Sequence, residues 1–525
     1  MRLLLTSVFG PFGVNDRFGR AENKMELFHN QVTREQGIFS FRFHHPSFGL
    51  YFLAENILTP ATVLDFPDLD AFKKEIKKNY DYVGISFIIP NFAKAKEMAG
   101  LVRKLAPATR IILGGHGTNV PDLENLIEHD HICRGEGLFF LRSLLGEDTG
   151  RPIIHPLINS SYNKKIMGVT IPDESGVIIP GVGCANKCRF CATSHFFGEY
   201  TPYLKSGQDI YDLCCRYEDE MNIRDFGVLD ENFLKMPERA MELAALMEKN
   251  RRFFTFGIFS SAETLAKFPS LDFLLRLGVT FIWMGVESKK EVYEKNAGVD
   301  FVQLVRELRR RGISVMTSVI LFSEQHDKTS IWEDIDFAIE LNSDYVQYMQ
   351  LGPIPGTTLY KNYLEAGKLF TGIPFEEQHG QDKIWFHHPS FTRRESSNYL
   401  KKAFAREYAV NGASFARMIK TNLDGFNYCR SHADSAVQKC SLVYKKLLDK
   451  IKPFLSSIRM LAFNKTTREL IGTVKKEIRN ITWRDKFLSA AVRLITITAM
   501  IKTKFFSDKR HPPAVRLLYR WSECS

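Results

Sequence analysis

The stretch Val177-Ile-Ile-Pro-Gly181-Val-Gly-Cys184-Ala-Asn-Lys-Cys188-Arg-Phe190-Cys191 sets three cysteines at C-x3-C-x2-C spacing directly after a short apolar run. A run of that length reads as a buried strand, so the cysteines fall on the loop that leaves it. Three thiolates suit an iron–sulfur cubane with one iron left without a protein ligand, since such clusters ordinarily take four cysteines. Zinc is the competing reading. It would more often use paired C-x2-C units or a nearby histidine, and His195 is close by in sequence. Reduced structural thiols are the third reading.

Working outward, the 525-residue chain is too long for one ordinary core, so two or three domains are expected. With 44% hydrophobic and 25% charged residues it is neither disordered nor fibrous. Nine unevenly spaced cysteines do not make a secreted disulfide framework, which points to a reducing, cytoplasmic setting. Met1-Arg-Leu-Leu-Leu-Thr-Ser-Val-Phe reaches Gly10-Pro11 too soon for a signal peptide and reads as a first strand. No run approaches the ~18–20 apolar residues that a membrane-spanning helix needs. The net charge of +11 is concentrated beyond about residue 430, where Lys and Arg greatly outnumber Asp and Glu.

Residues 1–150 alternate short apolar strands with helices: Leu3 to Val8, Ala61 to Phe66, Asp81 to Phe87 and Arg110 to His116 are strands, and Phe48 to Ile57 and Ala93 to Ala106 have helical spacing. That rhythm implies a doubly wound, flavodoxin-like parallel sheet. Ligands in such sheets bind beyond the carboxyl ends of the strands, which points to Ser86 to Asn91 and Gly114 to Asn119. Residues 151–175, with Pro152, Pro156 and Pro172, read as a linker. Residues 176–370 then carry six strand–helix units, starting at Val177–Val182, Asp225, Phe253, Val279, Ile313 and Tyr345. Six units in succession describe a partial (β/α)6 TIM-like barrel with its functional groups where strands end.

In its cysteine motif and in the polar segments that end its barrel strands, the chain resembles the radical S-adenosylmethionine superfamily. Asp230-Glu231-Asn232-Phe233 is similar to the family's segment after the second strand, Gly285-Val-Glu287-Ser288 to the one after the fourth, and Gly352-Pro-Ile-Pro-Gly356-Thr-Thr-Leu-Tyr360 to the one that closes many of these barrels. The resemblance implies a 4Fe–4S cluster on Cys184, Cys188 and Cys191. It also implies S-adenosylmethionine contacts from Phe190, Asp230, Glu231, Asn232, Glu287, Ser288 and Glu324. At Leu321-Phe-Ser-Glu324 the family usually has glycines, and Phe322 and Ser323 stand in their place.

Val83-Gly-Ile-Ser86, Leu113-Gly-Gly-His-Gly117 and Cys133-Arg-Gly-Glu-Gly137 resemble the cobalamin-binding domain that precedes many radical barrels. That likeness implies cobalamin contacts from Ser86, Asn91, Gly114, Gly115, His116, Gly117, Gly135 and Glu136. The Asp-x-His-x-x-Gly motif of many such domains is absent, so it implies cobalt without a histidine from this protein. A flavodoxin-like domain that binds nothing, or a different ligand, is the alternative.

Residues 371–430 carry His387-His388 beside Trp385 and Phe386 and read as a barrel cap rather than a second metal site. Residues 431–525 read as a basic α-helical region that includes the apolar stretch Phe487 to Lys502. Pairing apolar surface with cations points to peripheral contact with the inner face of the cell membrane. A helix packed on the protein's own barrel is the alternative, and nucleic acid is not expected. By resemblance to the cobalamin-dependent radical methylases and the anaerobic magnesium-protoporphyrin ester cyclases, the expected activity is methylation or carbon–carbon bond formation, and the apolar, basic tail with the 42 Phe of the chain points to a hydrophobic, lipid- or isoprenoid-like substrate. A low-potential electron donor would supply the reaction. Oxidative cyclisation or rearrangement without methyl transfer is the second reading, and a non-enzymatic iron–sulfur electron-transfer or sensor protein the third.

Overall fold

A computed structural model describes residues 1–10, 26–167, 169–170, 174–289, 296, 298–478, 483–505 and 514–520. The N-terminal sheet grows from uninterrupted apolar runs, which only a strand covered on both faces can hide. Its parallel strands Leu3–Thr6, Ala61–Asp65, Tyr82–Ser86, Arg110–Gly114 and His131–Ile132 lie in the order 2-1-3-4-5. This is the flavodoxin-like arrangement. Alternation along the strands sorts the faces. Leu4, Val83, Ile85, Ile111 and Leu113 pack on the helices Leu69–Ile76 and Phe92–Leu105. Leu3, Leu5, Tyr82 and Ile112 face the helices Phe48–Glu55 and Gly137–Leu144.

The second sheet has six parallel strands in chain order, Gly176–Ile178, Asp225–Val228, Thr255–Phe259, Val279–Glu287, Ser314–Leu321 and Tyr345–Gln350. The first and last do not pair with each other, so the barrel is incomplete. The run Val177–Val182, expected as one strand, is divided at Pro180. This residue has no N–H for a ladder, and its carbonyl accepts from the amides of Tyr203 and Leu204. Beyond it Gly181–Val182 forms a two-stranded antiparallel ribbon with Thr201–Pro202. The cysteine loop is therefore held at both ends.

Three departures from the linear reading matter for the site. Residues 26–41, inside the stretch read as the first domain, pack on the barrel instead. Val32, Phe39 and Phe41 share a core with Met316, Tyr345 and the helix Ser414–Arg430, and the Gln347 amide donates to Gln31 Oε1 at 2.8 Å. The linker is structured, because Tyr162–Ile166 pairs with Arg42–His44 and with Val169–Thr170. The C-terminal region is helical through Trp483–Phe505, but Val515–Tyr519 then runs antiparallel to Ala61–Asp65 as an edge strand of the N-terminal sheet. Arg516 pairs with buried Glu75, and Arg520 donates to the carbonyls of Ala54 and Glu55 at the end of the helix Phe48–Glu55.

Candidate active site between the two sheets

Both parallel sheets present the carboxyl ends of their strands to the same interdomain space. Gly356 follows the sixth barrel strand at φ +90° and lies so close to Asn119 that a Cβ would stand 2.4 Å from its side-chain amide nitrogen. Only glycine fits both demands. Ile354 beside it joins the hydrophobic core of the N-terminal sheet.

Cys184, Cys188 and Cys191 lie on the loop between the split first strand and the helix Ala192–Phe197. All three are free and partly exposed, whereas Cys133, Cys214, Cys429 and Cys440 are buried. The Cys191 amide donates to the Cys188 carbonyl at 3.0 Å, tightening the loop. Burial raises the Cys184 thiol above its ordinary value, with the nearby Glu231 carboxylate and the other two cysteines adding to the rise. Among the described residues no three His, Cys, Asp or Glu converge closely enough for one ion. A cubane makes no such demand, because each cysteine takes a different iron. His195 is already engaged: Nδ1 donates to the Cys191 carbonyl at 2.8 Å and Nε2 accepts from the Thr358 amide at 3.2 Å. The donor set thus fits a three-cysteine cluster and gives zinc no fourth ligand from His195.

The strand-end residues have divided roles. Asp230 is buried in an ion pair with Arg239 at 2.6 Å, accepts from Tyr200 at 2.8 Å, and takes the Asn232 amide on its other oxygen. Asn232 donates to Ser261 and Thr264 and accepts the Ser261 amide, tying the second strand's end to the third's. Both are engaged in holding the barrel rim, whereas exposed Glu231 stands by Cys184. Glu287 is buried at φ +66° and Phe322 at φ +64°, left-handed conformations that bulky residues adopt at a cost of order 1–3 kcal/mol. Ser288 is buried beside Glu287. Glu324 pairs with Lys368 at 2.7 Å, and that bond holds its carboxyl below the usual range. Phe190 packs against the barrel core. His388 accepts the Ser390 amide and donates to the Ser323 carbonyl, while His387 packs on Phe370; they share no centre. Trp385 and Phe386 are buried in packing.

A cavity of about 300 Å³ opens between the domains. Leu5, Gly84, Ser86, Ile112 and Gly114 all line it, an alternation that places them on one face of the N-terminal sheet. Facing them are Leu50 and Leu53 from one helix and Leu141 from another. The barrel contributes Ile179, Val182, Phe196, Phe197 and Tyr203. Of the eight residues expected to contact cobalamin, Ser86, Gly114, Gly115, His116, Gly135 and Glu136 meet in this wall. Asn91 and Gly117 lie outside it; Gly117 is pressed under the Phe87 ring.

Two observations test the cavity against a broad, largely apolar cofactor. No atom lies within 4 Å of the positions that Cβ atoms on Gly49 and Gly114 would take, so the backbone itself forms the cradle. His116 Nδ1 is buried in this region without a hydrogen-bond partner, and burial pushes the imidazole down to about 4, so it is neutral at pH 7. The His116 ring packs on Phe196 at 4.4 Å. Glu136 accepts from Tyr203 at 2.6 Å and from the amides of Leu138 and Phe139, which makes it the cap of its helix. The cavity fits such a group. The aromatic half of the wall was not anticipated, although Phe196-Phe197 stands five residues beyond Cys191 in plain sight.

Comparisons with known proteins agree with this geometry. Residues 178–338 match the Radical SAM superfamily. The chain is 22% identical over 409 residues to an uncharacterized methyltransferase of Pyrococcus horikoshii, covering 69% of this chain and 88% of that protein. It is 24% identical over 324 residues to the bacteriochlorophyllide d C-8(2)-methyltransferase of Chlorobaculum tepidum, covering 55% and 69%. Among solved structures, the radical S-adenosylmethionine methyltransferase TsrM from Kitasatospora setae, with cobalamin and a 4Fe–4S cluster bound, aligns at a TM-score of 0.53 and 14% identity over 85% of this chain and 99% of that one. The same enzyme with tryptophan substrate and a SAM analog aligns at 0.52 and 15%, over 86% and 99%. At these identities the likeness is one of fold.

Proposed function

We propose that this chain, which carries a radical SAM domain over residues 178–338, is a cobalamin-dependent radical methylase acting on a hydrophobic, lipid-like substrate. The observation that carries the reading is the helix Ala192–Phe197. Cys191 stands immediately before its start, and Phe196 and Phe197 at its end are part of the cavity wall, so one short helix joins the cysteine loop to the cavity. When bound, the cluster supplies the electron that cleaves S-adenosylmethionine, and cobalamin supplies a carrier for its methyl group. The chain's own residues then position and shield. Cys184, Cys188 and Cys191 would hold the cluster, and Glu231, Glu287 and Ser288, at the carboxyl ends of the second and fourth strands, would stand toward the S-adenosylmethionine bound there. Gly114, Gly115 and His116 would face the corrin, with Leu50, Leu53 and Leu141 along its apolar side.

Support for an apolar substrate comes from the barrel's inward face. Phe259 stacks on Trp283 at 4.9 Å, and both are only partly buried while Ile258, Ile282 and Met284 beside them are fully covered. Gly227 leaves open space at the lumen. The polar side chains beside this pair are tied to one another: Trp283 donates to Ser318, Ser318 to Gln347, and Gln347 to Gln31. Methylation is favoured over cyclisation because the relatives above are methyltransferases by name.

The test is anaerobic reconstitution with iron, sulfide and cobalamin, followed by incubation with methyl-deuterated S-adenosylmethionine and a lipid extract. The reading expects 5′-deoxyadenosine together with deuterated methyl in a lipid-soluble product. Absence of cofactor cleavage under strong reduction overturns it, and an unlabelled cyclised product moves the assignment to a cyclase.

A further inference from the structure

The helix Trp483–Phe505 is folded with its polar side inward. Its face against the protein carries Ser489, 8% exposed, and Thr496, 0% exposed. Its outward stripe, at seven-residue spacing, carries Phe487 at 72%, Leu494 at 70% and Ile501, with Leu488, Ile495 and Ile497 exposed on the flanks. Thr498 sits within that stripe and turns its hydroxyl back to the Leu494 carbonyl at 2.9 Å, leaving its methyl as the outward group. The neighbouring helix Leu455–Leu461 adds exposed Met460, and Phe463 just beyond it is 83% exposed. A surface helix normally shows the opposite pattern, and a contiguous outward apolar face marks an interaction site.

Charge identifies the occupant. The helix sequence carries Arg484, Lys486, Arg493, Lys502 and Lys504 against Asp485 alone, and residues 431–525 hold twenty Lys and Arg against seven Asp and Glu. Two copies meeting through this face would bring like charges together as their apolar stripes closed, which a desolvated interface tolerates poorly. An acidic bilayer presents the opposite charge at the same surface as an apolar interior. Among the described residues no helix is long and apolar enough to cross a membrane, so the helix would lie in the interface plane. We propose that Trp483–Phe505, with Met460 and Phe463, is a peripheral docking surface for bilayers rich in anionic phospholipid. The helix packs against Val169–Thr170 of the interdomain linker, so the docked face lies beside the junction of the two domains.

The full-length protein is tested by flotation on vesicles of phosphatidylcholine alone and of phosphatidylcholine with phosphatidylglycerol. The expected result is binding to the mixed vesicles, little to the neutral ones, and release in high salt. Leu494→Glu with Ile501→Glu should lower the partition coefficient at least tenfold, and Arg493→Ala about fivefold, the equivalent of about 1 kcal/mol for one surface cation. Both variants alter exposed positions and should melt like the parent. Met241→Glu, on the outer face of a barrel helix, should bind as the parent does. Failure of the parent to float, equal flotation of the double Glu variant, or equal binding to neutral vesicles overturns the proposal. So does a parent dimer that the double Glu variant dissociates, since a second copy would then be the occupant.

Discussion

Gly114→Leu separates the cavity's role in binding from any role in folding. Gly114 ends a central strand without a left-handed φ, and its Cβ would enter space with no atom within 4 Å. Four added carbons at about 0.8 kcal/mol each set an upper bound near 3 kcal/mol of burial. Side-chain ordering and residual exposure reduce this to a gain of about 0.5–2 kcal/mol, the usual yield of filling a void. The same carbons occupy the slot between Ile112 and His116, so cobalamin affinity should fall at least ~100-fold, or about 2.8 kcal/mol. Equilibrium dialysis followed by visible absorbance reads the affinity, and a thermal melt reads the stability. Gly100→Leu, on the helix Phe92–Leu105 away from the cavity, serves as the control. Unchanged cobalamin affinity in Gly114→Leu would refute the placement of the cofactor, and a melting point well below the parent's would refute the open slot itself.

Cys184→Ala, Cys188→Ala and Cys191→Ala are each expected to lose bound iron, whereas His195→Gln should retain it, because its ring is occupied by the Cys191 carbonyl and the Thr358 amide; iron analysis after reconstitution decides. Arg239→Met should cost about 3–5 kcal/mol in denaturant melts by leaving Asp230 buried without its cation, and adding Asp230→Leu should recover most of the loss. Burial pushes the Glu75 carboxyl up, but hydrogen bonds from Arg516, Lys78 and Tyr80 prevail and hold it at about 2, below its ordinary 4.5. Its contribution, on the order of 3 kcal/mol, is therefore full above pH 4.5 and is lost as pH falls toward 2. Protection of the Val515–Tyr519 amides, taken relative to their intrinsic exchange rate at each pH, should fall across that window in the parent and already be low at pH 7 in Glu75→Gln.

Legibility followed the range of the physical signal. Strands such as Ala61–Asp65 and Arg110–Gly114 announce themselves because burial on both faces demands a largely apolar run. The cysteine spacing is equally local. Pro180 is visible too, yet its effect depends on Tyr203 and Leu204, which reach its carbonyl from beyond the cysteine loop. Asp230 reads as a cofactor contact, and its ion pair with Arg239, on the helix that follows, depends on tertiary placement that the local sequence does not show. Residues 26–41 have no periodicity that names the barrel as their partner; the pairing of Gln31 with Gln347 lies 316 positions apart. Val515-Arg-Leu-Leu-Tyr519 has strand composition, but only tertiary pairing reveals which edge it completes.

That last pairing sets a timetable for biosynthesis. The edge strand Ala61–Asp65 is made early, and its partner Val515–Tyr519 leaves the ribosome about 450 residues later, roughly 20 to 90 seconds at ordinary elongation rates. Through that interval the nascent sheet presents an unpaired apolar edge, the kind of surface that templates misassembly. Slow codons between these two strands lengthen that interval, whereas slow codons before residue 61 leave it unchanged.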